Sequence, residues 1–325
     1  MDFSKINWKQ VVMTAGMPLV LLVIVGFLPF YGWAYGVTLF SYFLLYIILT
    51  VSWVIFSGTT GYISLATAAF YGVGIYAAAV FGGKMPLIFV VFIGGIASFI
   101  IALIVGAITL RLKGIYFAMF TFGLVLLVKE LIYYLEVDIH HLVGRFVVLE
   151  SNNTIYYCLL GIFVVTIIVT YLIRRSKYGL AMQSIGENEE AAAHSGVNVT
   201  MVKVLTYAVS AIFMGAAGVI MATKVTYIDP DVAFNPMMSF TPVLMAIFGG
   251  MGNLYGPVLG AVLFAYIQEV LTTGNLKQYY MLIFGVLLIC AIVFMPNGLI
   301  GLIQKLVGLV RKWRKGGSAV QNANT

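Results

Sequence analysis

The chain has 325 residues, of which 62% are hydrophobic and only 9% charged, with 34 glycines and a net charge of +7. Soluble globular proteins carry about a quarter charged residues. A surface this poor in charge excludes a soluble enzyme, a disordered protein and a disulfide scaffold, and it points to a polytopic membrane protein.

A bilayer core of about 30 Å requires about 20 apolar residues per helix. The first apolar run, 12–30, follows Lys5 and Lys9. It is too long for the core of a signal peptide and has no small-x-small cleavage site behind it, so an uncleaved first span is expected. Further spans are predicted at 37–56, 60–82, 86–109, 114–134, 155–173, 204–223, 237–253, 255–273 and 279–296. The 237–253 run contains Pro242 and Gly249-Gly250-Met251-Gly252, and is expected to be broken or re-entrant. Cys158 and Cys290 fall inside apolar runs without a CxxC or Cys/His pattern, so both read as packing residues.

Charge tests this count. Ten spans with the N-terminus inside place thirteen Lys and Arg on the inner side, among them Arg111, Lys113, Arg174, Arg175, Lys177 and Lys203. The outer side receives five: Lys84, Lys129, Arg145, Lys224 and Lys277. This is the positive-inside asymmetry, and basic residues between apolar runs are better explained by it than by nucleic acid. Both termini are then cytoplasmic. Tyr31, Trp33, Tyr35, Tyr133, Tyr134, Tyr156, Tyr157, Tyr279 and Tyr280 all fall at the predicted outer interface, where amphipathic rings are stable. The fold class expected is all-α, with one transmembrane domain over 1–310 and a polar loop at 174–203. A tail at 311–325 starts basic, against anionic headgroups, and ends small and polar.

Catalytic signals are missing. Gly83-Lys84 is followed by Met85 and lacks the earlier glycine of a phosphate-cradling loop. No metal-spaced cluster accompanies His140 and His141. The chain reads as no enzyme, and no metal or other cofactor is expected on it. Lys129, Glu130 and Glu269 lie near the outer ends of their spans, as snorkelling or locally paired groups would. A proton- or ion-coupled carrier places such groups near mid-membrane. Their positions favour a passive conduit or an outside motor.

Glycine is dense over 58–83, 94–106 and 249–260, and Gly256 and Gly260 form a GxxxG pair. Small residues let helix backbones approach closely in lipid. Breaks at Gly58–Gly61 and Gly249–Gly252 would also expose backbone groups to a polar path, tolerated only inside protein or beside a cavity. Ser64, Thr67, Tyr71, Tyr116 and Thr121 are polar groups near those breaks, candidates to line the path with Gly61, Gly249, Gly250 and Gly252. Each reads equally well as a helix residue bonded back to its own backbone.

The loop 174–203 carries the sharpest signal. A short helix is predicted within Ala181 to Ser195, with acidic residues in the first turns of its middle stretch and Gly196 as its C-cap. An isolated helix of this length is marginal, so a receiving partner would account for it as well as an ordinary solvated loop would.

Glu190-Ala191-Ala192-x-x-x-Gly196 resembles the EAA-x-x-x-G motif of ABC-importer permeases. The stretch from Arg174 to Val199 is similar to the branched-chain amino-acid (Liv-type) permeases. So are Arg111 to Met119, Gly61 to Leu65 with Phe70 to Tyr76, and Gly249 to Ala261. These segments follow the family's order over roughly residues 57 to 270, and Arg111 to Met119 is closer to the LivM half than to the LivH half. The outer loop Glu136 to Arg145 lacks the Thr-Gly-Gly-x-x-Gly-Leu segment of many LivM-like chains, and Asn253 stands where Ser or Thr is common.

The resemblance implies a permease subunit of a bacterial or archaeal cell membrane. It implies a second similar permease, two cytoplasmic ATP-binding subunits that carry ATP and Mg²⁺, and an extracytoplasmic substrate-binding protein. It also implies that Glu190, Ala191, Ala192 and Gly196, with Glu187 and Asn188 beside them, form the helix that docks into the ATPase. The substrates implied are branched-chain or related amino acids. The alternative is a self-contained secondary carrier or channel for a small polar solute. A structural or assembly subunit would leave the acidic, Gly-capped helix without a purpose.

Overall fold

The structure, a computed structural model, describes residues 25–31, 33–139, 141 and 144–273, with isolated positions between 282 and 301. Most of the last predicted span, most of the first, His140, Cys290 and the tail 311–325 lie outside the described residues.

Described elements run α1 (Ala34–Thr60), α2 (Thr67–Phe81), α3 (Leu87–Thr109), α4 (Ile115–Tyr134), β1 (Arg145–Phe146), α5 (Asn152–Arg175), α6 (Lys177–Glu187), α7 (Glu189–His194), α8 (Val199–Ala222), β2 (Tyr227–Ile228), α9 (Pro230–Ala233), α10 (Met237–Gly249) and α11 (Tyr255–Thr273). A 3₁₀ turn precedes α1, and α4 runs on into a π turn, Leu135–Ile139. The two short strands pair antiparallel, Arg145 opposite Ile228 and Phe146 opposite Tyr227. Seven helical stretches among the described residues are long and apolar enough to cross a bilayer. The chain is an all-helical, multi-pass membrane protein.

Two predicted spans need correction. The run 60–82 is not one helix. α1 continues to Thr60 and stops at Gly61, whose φ of +75° an L side chain rarely adopts. Residues 61–66 are non-helical, and α2 has only 15 residues. The run 237–253 is likewise shorter: α10 has 13 residues with Pro242 inside it, and it ends before Gly250 at φ +94°. At 1.5 Å per residue that is about 20 Å, less than a bilayer core. The short helix α9, capped by the Asp229 side chain on Val232 N, extends the same stretch.

α1, α8 and the shorter α2 form the interior. Of the most apolar window of α1, 89% is buried, and of that of α8, 78%, against 17% for α4 and 28% for α3. α1 is apolar all round, which suits a helix surrounded by others. α8 packs along α2 and α3, and glycine makes this possible. A Cβ on Gly74 would lie 1.9 Å from the Gly215 carbonyl oxygen, and one on Gly218 would lie 2.1 Å from that of Tyr71. Beside it, the Ser98 hydroxyl of α3 donates to the Phe70 carbonyl of α2 at 3.0 Å. With lipid as apolar as leucine, such close approach and interhelical hydrogen bonds supply the attraction.

The chain ends of the helices sort to two sides. One carries the 174–203 loop, the end of α1, the start of α4 and the α10–α11 turn; it is the loop end below. The other carries the β1–β2 pair and the π turn, and is the far end.

Candidate functional site

At the loop end Ser176 separates two helices. Its backbone N–H closes α5 on Ile173 O, and its hydroxyl accepts from Gly179 N, opening α6. α6 lies against the end of α1: a Cβ on Gly186 would meet the Thr59 carbonyl at 2.3 Å. Met182 and Ile185 of α6, Ala192 of α7 and Val202 of α8 form a small buried cluster. This apolar footing holds two short helices that would be marginal alone.

The loop holds two helices where one was predicted. Asn188 leaves helical geometry (φ −157°) and its Oδ1 accepts from Glu190 N and Ala191 N, both at 3.0 Å. An asparagine competes for nearby backbone donors in this way, which favours caps over helix interiors. α7 then ends as expected at Gly196, whose φ is +86°, with Gly196 N on Ala193 O and Val197 N on Ala192 O. Glu187, Asn188, Glu190, Ala191 and Gly196 are exposed. Ala192 is 3% exposed and turned into the footing, so its methyl anchors α7 rather than facing outward.

The strongest polar contact of the region involves a residue the motif passes over. Glu189 accepts the Tyr62 hydroxyl at 2.5 Å and pairs with Lys203 Nζ at 2.9 Å. Lys203 is only 3% exposed. Its ammonium also donates to the Leu110 carbonyl at 3.1 Å and sits 4.5 Å from the centre of the Tyr62 ring. One ion pair thus joins α7, the non-helical stretch after α1, the end of α3 and the start of α8. Burial alone would raise the Glu189 carboxyl pKa. The hydrogen bonds from Tyr62 and Lys203, with the charges of Lys203 and Lys113, outweigh it and hold the group below the usual carboxylate range. Burial, then the Glu189 hydrogen bond and charge, push the Tyr62 phenol up. The sequence hint was a lysine early in an apolar helix, with acids shortly before it; the fourteen-residue separation hides the pairing.

Residues 61–66 run inward from Glu189. Their backbone groups are met from several helices. Trp53 Nε1 donates to Ser64 O at 2.7 Å, Leu65 N donates to Thr121 Oγ1 at 3.0 Å, and Ala68 N, at the start of α2, donates to Ser239 Oγ at 3.1 Å. The Ser64 hydroxyl donates to Tyr207 at 3.3 Å. Of the path candidates, Ser64, Thr67, Tyr71 and Thr121 are buried among helices, and Tyr116 is 70% exposed on α4. The structure brings Ser64, Thr121 and Gly61 together around the break and leaves Tyr116 apart. A water-sized cavity of about 10 Å³ touches Ser57, Ser64, Thr67, Tyr207 and Ser210. The Thr67 hydroxyl has no partner among the described residues, and one water would satisfy it.

The second break differs. Gly249, Gly250, Gly256 and Gly260 bring α10 and α11 into backbone contact; a Cβ on Gly256 would lie 1.9 Å from Gly250 O. Gly252 is exposed, and Arg174 Nη2 reaches Met251 O at 3.4 Å. At the far end Lys129 pairs with Asp231 at 2.7 Å rather than with Glu130, while Glu269 accepts from Tyr35 and Thr273. Among the described residues no group of His, Cys, Asp and Glu has the make-up of a metal site.

The family model for the permease component of branched-chain amino acid transport systems matches residues 35–292. The high-affinity branched-chain amino acid transport system permease protein LivM of Salmonella typhimurium is 25% identical over 92% of this chain and 78% of its own length. LivM of Escherichia coli is 25% identical over 85% and 72%. LivH of Escherichia coli is 30% identical over 43% of this chain and 44% of its own. No solved structure matches. The chain belongs to the family of branched-chain amino acid transport permease components.

Proposed function

We propose that this family member is a membrane subunit of an ATP-driven importer that carries branched-chain or related amino acids inward. In this reading it spans the membrane ten times with both termini in the cytoplasm, and the loop end faces the cytoplasm. It pairs with a second similar permease in a bacterial or archaeal cell membrane, receives substrate from an extracytoplasmic binding protein, and docks two cytoplasmic ATP-binding subunits. ATP and Mg²⁺ belong to those subunits, and this chain contributes no cofactor site. Relatives named for branched-chain amino acids support the substrate class.

The observation that carries the reading is α7. A six-residue helix is presented with Glu190 and Ala191 exposed, and is fixed underneath by Ala192 and the Glu189–Lys203 pair. A helix held this rigidly transmits displacement instead of absorbing it. Movement of the ATP-binding subunits would pass through α7 to Glu189, then to Tyr62 and the 61–66 stretch, and through Lys203 to α8. Closure of packed elements around such points is a known form of switching. Glu190 lies in the first turn of α7, on its exposed side, where reversal of charge meets a partner and disturbs no internal contact. Glu190→Lys is expected to abolish amino-acid uptake while membrane level and melting temperature stay normal. Normal uptake by that variant removes α7 as the coupling element.

A further inference from the structure

A lysine stands at each end of α8. Lys203, near its start, lies at the loop end in the ion pair with Glu189. Lys224 follows the last turn at the far end. Its backbone N–H still donates to Met221 O at 3.2 Å, so it moves with the helix. The two ammonium groups are held unequally. Lys203 Nζ has a carboxylate, a phenol and a carbonyl as acceptors. Lys224 Nζ is buried and has no acceptor among the described residues. It rests over the Tyr42 ring of α1, 4.0 Å from the ring centre. A lysine at a membrane interface ordinarily extends its ammonium to water. This one does not, and a charge held out of water without an acceptor is costly.

Acceptors lie on α11, which also packs on α1. Gln268 gives its amide nitrogen to the Tyr46 hydroxyl at 3.2 Å, one turn beyond Tyr42, while its Oε1 is buried and takes no donor. The Glu269 carboxylate holds the Tyr35 and Thr273 hydroxyls at 3.4 and 3.3 Å, longer than the usual ~2.5–3.0 Å of hydroxyl bonds. Burial pushes the Lys224 pKa down and the Glu269 charge works against it, so the two groups act on each other although no ion pair joins them.

We infer that Lys224 is a far-end latch, which exchanges the Tyr42 ring for the Glu269 carboxylate and the Gln268 oxygen when the ATP-binding subunits displace α8. The inference rests on the importer reading and extends it to the opposite end of the chain. Here a buried donor lacks an acceptor and a buried acceptor lacks a donor, and one movement ends both deficits. Charge-assisted hydrogen bonds are the strong ones, so the second arrangement has a gain of its own once the helix brings it within reach. The 24 residues of α8 measure about 36 Å, and 78% of its most apolar window is buried. A packed helix shifts as a unit between discrete arrangements. A shift imposed through Glu189 on Lys203 therefore arrives at Lys224, where one ammonium has two alternative seats.

The test uses the full chain assembled with its partner subunits in lipid vesicles, with the binding protein added or withheld. ATP-driven uptake of labelled leucine is measured per mole of assembled complex. Lys224→Met and Glu269→Gln are each expected to lower the maximal rate about fivefold, the low end of coupling between distant sites. The double variant is expected to lose the same fivefold and not their product, because both changes remove one contact. Tyr42→Leu removes only the present seat of the ammonium. It is expected to raise ATP hydrolysis without binding protein about fivefold, a gain that a misfolded protein cannot show. Losses that multiply in the double variant overturn the inference, since Lys224 and Glu269 then act independently. So does ATP hydrolysis that Tyr42→Leu leaves unchanged, or full-rate uptake by Lys224→Met. Wild-type vesicles that hydrolyse ATP but take up no branched-chain amino acid would remove the importer reading itself, a different failure from that of the latch.

Discussion

Two helices stop on glycines of positive φ near the loop end, and they are held by opposite means. After α1, at Gly61, the exposed backbone is taken up by side chains: Trp53, Thr121 and Ser239 reach in from three helices, and Glu189 and Lys203 fix Tyr62. After α10, at Gly250, the turn is held by backbone packing against backbone, where glycines face one another across α10 and α11. Side-chain bonds can be exchanged one for another at modest cost. A carbonyl 1.9 Å from where a Cβ would sit leaves the second break no such exchange. The comparison predicts that the first break tolerates the loss of one bond and the second tolerates no added side chain.

The largest effect should come from the fixed break. Gly256→Leu places a side chain where even a Cβ would sit 1.9 Å from the Gly250 carbonyl oxygen. Overpacking ordinarily costs about 1–3 kcal/mol, and more when backbone must move. Loss of monodisperse protein in detergent is expected; normal yield and melting would show that the α10–α11 contact yields as the first break does.

Next comes the ion pair. Lys203→Met leaves Glu189 and Tyr62 facing a site without a cation. Removing one partner of a buried pair costs about 3–5 kcal/mol. The low end, about 3 kcal/mol, applies because 24% of the Glu189 side chain remains open to water. The proton sign can be worked out. The Glu189 pKa is lower folded than unfolded, so its contribution is fully present above the unfolded value, about 4.3, and is lost as pH falls through the folded value. Wild type and Glu189→Gln should differ in melting temperature at pH 7 and converge only as pH falls from the unfolded value, about 4.3, through the lower folded value. A constant difference across that range would show that Glu189 does not act as an anion here.

The two breaks also differ in how far the amino-acid sequence announces them. Several helices were legible because turn residues bound them: Pro86 precedes α3, Gly114 precedes α4, and the predicted 255–273 coincides with α11. The glycine run ahead of Tyr255 announced the second break. The start of the first was announced too, by Gly58 and Gly61; its length was hidden, since Tyr62 to Ala66 continue the apolar run and nothing local forbids a helix there. Only tertiary partners make the irregular course cheaper, and they come from residues as distant as Ser239. The same holds in the polar loop. Gly196 declared its turn by residue type, whereas Asn188 is tolerated in a helix and declared its cap only through the amides it collected. Glu189 was visible as one acid among several, and its partner was not.

The smallest effect tests whether the first break is held by many modest bonds. Thr121 Oγ1 accepts from Leu65 N at 3.0 Å and also faces the Phe117 carbonyl of its own helix at 2.9 Å. Thr121→Val keeps the shape and removes the acceptor, leaving one amide of the 61–66 stretch without its partner. An unsatisfied buried donor costs about 1–3 kcal/mol. The lower figure is expected, because Ser64 and Trp53 still hold the neighbouring residue. Stability should fall by about 1 kcal/mol, read as a small drop in melting temperature, with uptake retained. If Thr121→Val instead unfolds the chain as Gly256→Leu does, the first break is as rigid as the second. Conformational exchange would then have to be sought outside the 61–66 stretch.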